Sequence, residues 1–186
     1  QSLTDSQMGI PYAWCDVALT HLDVTSHAMA WARYGRPLTH LCHNHRQLIH
    51  HNVKDDGVNH PIWNSEWIRE EWSQWTGPSI VVRPPLVPAE HETSVRNRHA
   101  LKTVALVNLL GIKGGELFWR LARRLPDWRF VGVEGAYGQQ LWPDTPAANS
   151  EFVPMGGDMR DVWKRTSVYV QPSFYESYGL AALEAM

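Results

Sequence analysis

Two glutamates close the sequence. Glu176 and Glu184 stand with seven residues between them in the run VYVQPSFYESYGLAALEAM, 168–186. A strand-like apolar segment runs into Pro172 and Ser173, and a helical segment leaves from Tyr178, Gly179 and Leu180. An acid just before a helix start often serves only as a cap, and one inside a helix is usually solvated. Two carboxylates also repel a bare anion. They accept hydrogen bonds from sugar hydroxyls, however, while the uncommitted N–H groups of a helix start attract phosphate. A nucleotide sugar, with a phosphate end and several hydroxyls, suits both features.

A second run, NLLGIKGGELF, places Lys113, Gly114 and Gly115 between a strand and a helix. Free N–H groups, the helix dipole and the lysine charge favour an anion there, and the glycines let it approach. The plainer reading is a surface lysine beside an ordinary turn, since the run is neither G-x-G-x-x-G nor a Walker loop. A third run, LTHLCHNHRQLIHH, holds His40, His43, His45, His50 and His51. Their density suggests a metal cluster. Alternate residues of a strand face opposite ways, though, and neither C-x-x-C nor H-E-x-x-H is present.

The elements that must position these groups alternate along the chain. Strands are expected within 15–22, 36–44, 58–63 and 78–85. A helix is expected over 24–35, and another follows Asn64 or Ser65, with Ile68, Trp72 and Trp75 on one face. The polar stretch 86–100 reads as a linker. Beyond it come a strand at KTVALVNLL, a helix at ELFWRLARRL with Leu117, Leu121 and Leu125 in register, and a strand at WRFVGVEG. A short helix capped by Asp158 and a final strand at SVYVQPS complete the order. Strands separated by helices imply βαβ units and parallel sheets, an α/β fold whose ligands bind at the carboxyl ends of strands. The tryptophans read mainly as packing residues.

Composition narrows the function. A hydrophobic content of 44% with 19% charged residues describes a folding chain, and a net charge of −2 leaves no basic footprint for nucleic acid. Cys15 and Cys42 lie in apolar runs and read as reduced core thiols. No apolar run reaches membrane-spanning length, and the first residues do not resemble a signal peptide.

The closing run resembles the E-x7-E signature of retaining GT-B glycosyltransferases of family 4 type, roughly P-S-x-x-E-S-x-G-x-x-x-x-E-A. Pro172, Ser173, Glu176, Ser177, Gly179, Glu184 and Ala185 match it. KGGELFWRLARRLP is similar to that family's KG loop and helix, NSEW to its NSE strand end, and VVRPPL to its interdomain approach. The resemblance implies a GT-B-like fold of two doubly wound Rossmann-like domains, both partial here. Residues 1–90 would be the second half of an N-terminal acceptor-side domain. Residues 91–186 would be the first part of a C-terminal nucleotide-sugar-binding domain. The chain is expected to begin and end inside domains, so that it would be inactive by itself.

The resemblance also implies roles. Glu184 would bind the donor ribose and Glu176 would face the transferred sugar. The backbone at Tyr178, Gly179 and Leu180 would hold diphosphate and sugar. Lys113, beside Gly114, would neutralise the phosphate, while Gly135 and the turn at Pro154 and Met155 would lie near the base. Catalytic duty falls to His43, Glu176 and Lys113, with His45 the second candidate for the histidine and His21 structural. The sequence departs from the family at Asn108, where an Arg often stands, so positive charge must come from elsewhere. The implied activity moves a hexose-type sugar from a UDP- or GDP-linked donor to an acceptor hydroxyl on a glycan, lipid-linked compound or natural product. No metal or cofactor is implied, and the expected location is cytoplasmic, peripheral to the inner membrane face. The alternatives are a non-catalytic nucleotide-sugar-binding module and a His-rich metal-binding protein.

Overall fold

The computed structural model describes residues 16–21, 35–44, 58–94 and 98–186. The chain divides into two compact units, Gln1–Pro84 and Pro85–Met186. The helix expected over 24–35 lies outside the described residues except for Gly35, as do Cys15, His45, His50 and His51.

Among its described residues the first unit holds four parallel strands in sequence order: β1 (Ala18–His21), β2 (Leu38–Cys42), β3 (His60–Trp63) and β4 (Ile80–Val81). The expected strand at 78–85 is thus only two residues long. Leu38, Cys42 and Trp63 point into the core and are fully buried. Burial pushes the Cys42 thiol up to about 12, so it is inert at neutral pH. Helix α1 (Glu66–Glu71) is capped by Ser65, whose Oγ accepts the Ile68 N–H at 3.2 Å. Ile68 and Trp72 are buried beneath it, with the Trp72 ring 6.1 Å from that of Trp63. The helix stops at Glu71, so Trp75 falls in the following turn rather than on the helical face expected for it.

The second unit is a four-stranded parallel sheet in the order β7-β6-β5-β8. Its strands are β5 (Thr103–Val107), β6 (Arg129–Val133), β7 (Ser150–Val153) and β8 (Val168–Tyr169). Both faces are covered, as strand alternation requires. Val104, Leu106 and Phe130 pack under helix α3 (Gly115–Arg124) on one side. Ala105, Val131 and Val133 pack against Val162 and Trp163 of α4 (Met159–Trp163) on the other. Asp158 caps α4 as expected, accepting the Arg160 N–H at 2.9 Å.

Three expectations change. The row Leu117, Leu121, Leu125 is not the core face of α3: Leu117 and Leu125 are 46% and 42% exposed. Phe118, Trp119 and Ala122 are buried instead, because two aromatic rings bury more apolar area than a leucine row. The expected linker contains helix α2 (Pro88–His91), where Pro88 presets the first helical φ, and a 3₁₀ turn over Arg98–Leu101. Strand β7 was not anticipated at all. No helix among the described residues is long and apolar enough to cross a membrane.

Candidate functional site

The carboxyl ends of β5, β6, β7 and β8 gather most of the residues singled out from the sequence. After β5 the chain turns sharply at Asn108, whose φ of 69° is left-handed, a conformation Asn tolerates better than most side chains. Its Oδ1 accepts the Leu110 N–H at 3.3 Å and its own N–H donates to Val133 O at 3.0 Å. Gln140 completes this corner. Its Oε1 accepts the N–H groups of Leu109 (2.7 Å) and Gly135 (3.0 Å). A Cβ on Gly135 would sit 2.7 Å from Asn108 Oδ1, which is why no side chain fits there. A compact amide at position 108, rather than an Arg, therefore ties the β5 and β6 loops together.

From this corner the chain forms a 3₁₀ turn, Gly111–Lys113, and enters α3 through Gly114 at φ 88°. Gly114 lies against the ring and carbonyl of Pro172, so a Cβ there would collide with the loop that follows β8. Phe174 N–H donates to Ile112 O at 3.0 Å, stitching the same two loops. Lys113 then reaches across. Its Nζ lies 2.8 Å from Glu176 Oε2 and donates to Tyr175 O at 3.4 Å. The Lys113 side chain is only 16% exposed and that of Glu176 is 32% exposed. The two residues expected on adjoining parts of one ligand are thus paired with each other.

Helix α5 (Leu180–Ala185) starts one residue later than Gly179, which caps it at φ 80°. A Cβ on Gly179 would be 3.3 Å from Gln171 Nε2 and 3.7 Å from Glu176 Cγ. Gln171 Oε1 is buried with no hydrogen-bond partner among the described residues. Glu184 lies half-buried on α5. It and Glu176 both act on Tyr169 at the end of β8: burial, and then the two carboxylates, push that hydroxyl's pKa up. Tyr169 packs edge-on against Trp163 at 5.7 Å.

Beside this cluster is a cavity of about 510 Å³. Asn108, Gly135 and Met155 line it, together with Glu134, Tyr137 and Gly157. Glu134 Oε2 accepts the Met155 N–H at 3.0 Å, fixing the turn after β7. Gln140, Tyr169, Glu134 and Tyr137 were not singled out from the sequence. The two closely spaced glycines of EGAYGQQ were the available signal for a structured loop.

In the first unit, His43 follows β2 and its ring lies 5.8 Å from that of His21. His40 is buried, its Nδ1 2.9 Å from Thr20 Oγ1. Burial, and then His43 and His21, lower the His40 pKa to about 4. Burial, and then His21, lower that of His43, only partly offset by the Leu41 backbone hydrogen bond. No group of three or more His, Cys, Asp or Glu side chains among the described residues is placed to hold a metal ion.

No protein-family model matches the chain, and no curated protein does. Solved structures share its fold. TarM is similar at a TM-score of 0.65 and 12% identity, over 90% of this chain and 38% of its own. The pneumococcal O-GlcNAc transferase GtfA, solved with UDP and GlcNAc, is similar at 0.64 and 14%, over 90% of this chain and 39% of its own. Trehalose-6-phosphate synthase is similar at 0.60 and 12%, over 97% of this chain and 60% of its own. The chain therefore spans about two fifths to three fifths of these proteins. At such identities the likeness is one of fold: two Rossmann-like α/β units, forming part of a GT-B fold.

Proposed function

We propose that the chain belongs to a retaining glycosyltransferase of family 4 type that moves a hexose-type sugar from a UDP- or GDP-linked donor to an acceptor hydroxyl, without a metal. The second unit is the donor side and the first the acceptor side. The observation that carries the reading is the junction of Lys113, Gly114, Glu176 and Gly179 at the carboxyl edge of one parallel sheet. Two of the solved structures named above, GtfA with UDP and GlcNAc and trehalose-6-phosphate synthase studied with bisubstrate glycomimetics, support the same chemistry.

In this reading the donor's diphosphate lies at Lys113 and the N–H groups at Gly179 and Leu180, and its base enters the cavity lined by Gly135 and Met155. Charge grows on the diphosphate as the sugar departs. A half-buried ammonium stabilises that charge more strongly than water does, which is the main catalytic contribution. Glu176 orients the sugar hydroxyls, and Glu184 accepts both ribose hydroxyls through its two oxygens. His43, kept neutral by its surroundings, offers a hydrogen-bonding imidazole to the transferred sugar.

The test joins binding to turnover. A donor present at 100 times its Kd raises stability by about 2.7 kcal/mol, so a nucleotide-sugar panel identifies it by thermal shift. Transfer by the full-length enzyme should then proceed in excess EDTA. Glu184→Gln should weaken the nucleoside diphosphate by about 1.5–3 kcal/mol and leave a 2′,3′-dideoxy analogue unaffected. If the variant binds the ordinary nucleotide as the parent does, Glu184 is only a helix residue and the reading loses its most specific support.

A further inference from the structure

The outer flank of α3 carries a second concavity, of about 320 Å³, that shares no residue with the cavity beside the donor cluster. Glu116, Trp119, Arg120 and Arg123 form one wall, and Leu141, Trp142 and Pro143 the other. Arg120 and Arg123 are exposed, one turn apart on the helix, and neither has an ion-pair partner among the described residues. The opposite wall is held in place. Trp119 Nε1 donates to Leu141 O at 2.5 Å, and the Leu141 N–H donates to Leu109 O at 3.0 Å. Trp142 meets Trp119 edge-on at 4.9 Å and Phe152 at 5.5 Å, yet stays 40% exposed. A fixed, solvent-facing indole thus stands opposite two guanidinium groups that form no ion pair among the described residues.

Each group narrows the ligand. Paired guanidiniums match a carboxylate in fork geometry. An indole face takes the apolar face of a pyranose ring as it takes other flat apolar surfaces. Glu116 accepts hydrogen bonds from hydroxyls, which a uronic-acid ring keeps beside its carboxylate. A nucleic-acid strand needs a longer basic track than two arginines on a chain of net charge −2. A lipid surface favours a protruding apolar face rather than a recess. We propose that this concavity binds a uronic-acid saccharide, the carboxylate on Arg120 and Arg123, the ring on Trp142 and the hydroxyls on Glu116. The site does not depend on the donor reading.

Calorimetry on the full chain with an oligogalacturonate tetramer tests it. The tetramer should bind, and its fully methyl-esterified form, with the same rings and no charge, should bind at least tenfold more weakly. Arg120→Gln combined with Arg123→Gln should cost a similar factor while leaving the melting temperature and nucleoside diphosphate binding unchanged. Both side chains are exposed, so the double variant is expected to fold. Trp142→Ala should weaken the acid and the ester alike. Equal affinity for acid and ester, an unaffected double variant, or no binding of the tetramer would each overturn the site. Binding of phosphatidylserine vesicles in place of the tetramer would overturn it too, and would assign the face to a membrane.

Discussion

The carboxyl ends of the two sheets handle charge in opposite ways. Among the described residues both sheets are parallel and four-stranded, so strand number and direction do not separate them. At the first sheet, His21, His40 and His43 crowd one another, and burial with mutual repulsion keeps protons off His40 and His43. At the second sheet, Lys113 and Glu176 form an ion pair at 2.8 Å. A neutral imidazole edge offers hydrogen bonds with no net field. A paired ammonium offers a charge that an incoming anion can compete for. In the proposed reading the first edge would meet a neutral sugar and the second a diphosphate.

The largest effects should come from breaking the frame of the second edge. Gly114→Ala places a Cβ against Pro172 at a left-handed φ of 88°. Left-handed strain of about 1–2 kcal/mol adds to overpacking of about 1–3 kcal/mol, so a loss of about 2–5 kcal/mol is expected. Gly156, with φ 99° and open space around it, isolates the strain alone, and Gly156→Ala should cost about 1–2 kcal/mol. Chemical denaturation of the two variants compares them. Equal losses would mean that the loops meeting at Gly114 are free to separate.

The first edge should be broken by protons. His40 has a pKa of about 4 in the folded state against an ordinary 6.5. Its folded value is the lower, so the unfolded chain binds the extra proton between those pH values. The stability it contributes is complete above about pH 6.5 and is lost as pH falls toward 4. The loss is about 2 kcal/mol by pH 5 and about 3 kcal/mol in full. His40→Gln cannot titrate, so its unfolding free energy should be less dependent on pH over this range by that amount. Identical pH profiles for variant and parent would remove His40 from the account.

Much of the second edge, and some of the first unit, was legible in local pattern. Lys113 and Gly114 between strand and helix, Ser65 and Asp158 as caps, and the Pro172-to-Glu184 run all declare themselves within a few residues. What escaped depends on contacts between distant segments. Strand β7 carries Ser150 and Glu151, is half-buried throughout and sits at a sheet edge, so its hydrophobic signal is weak. Leu117 and Leu125 satisfy a helical period as well as Phe118 and Ala122 do, and only the surface they face decides between the rows. Gln140 reads as one polar loop residue among several until its carbonyl is found between Leu109 and Gly135. The Lys113–Glu176 pair joins positions far apart along the chain, and no spacing rule reaches that distance.

Removing the charge at the second edge should act on phosphate and spare the nucleoside. Lys113→Ala is expected to weaken a nucleoside diphosphate by about 1.5–3 kcal/mol, roughly 10- to 150-fold, with little change for the free nucleoside. Calorimetry with both ligands separates the contributions. An equal loss for the two would place the ammonium away from the phosphates, and the contrast between the two edges would no longer bear on the reaction.

The smallest effect asks whether the ion pair competes with the ligand. Without donor, Lys113 spends one N–H on Glu176 and another on Tyr175 O. A diphosphate arriving at the ammonium brings negative charge toward a carboxylate 2.8 Å from that nitrogen. Part of the attraction it gains is therefore offset by repulsion from Glu176 or by the loss of the pair. Glu176→Gln keeps an oxygen that accepts the same hydrogen bond and removes the charge. Relief of about 1 kcal/mol of that repulsion corresponds to a tightening of nucleoside diphosphate binding by about fivefold. The gain should shrink as salt rises, because screening weakens the repulsion that the variant relieves. Sugar transfer by the full-length enzyme should fall at the same time, if Glu176 orients the sugar as proposed. Titrations at low and high ionic strength decide the point. Weaker binding by Glu176→Gln would mean that the carboxylate holds Lys113 in place for the phosphate, and the pair would then be scaffold rather than competitor.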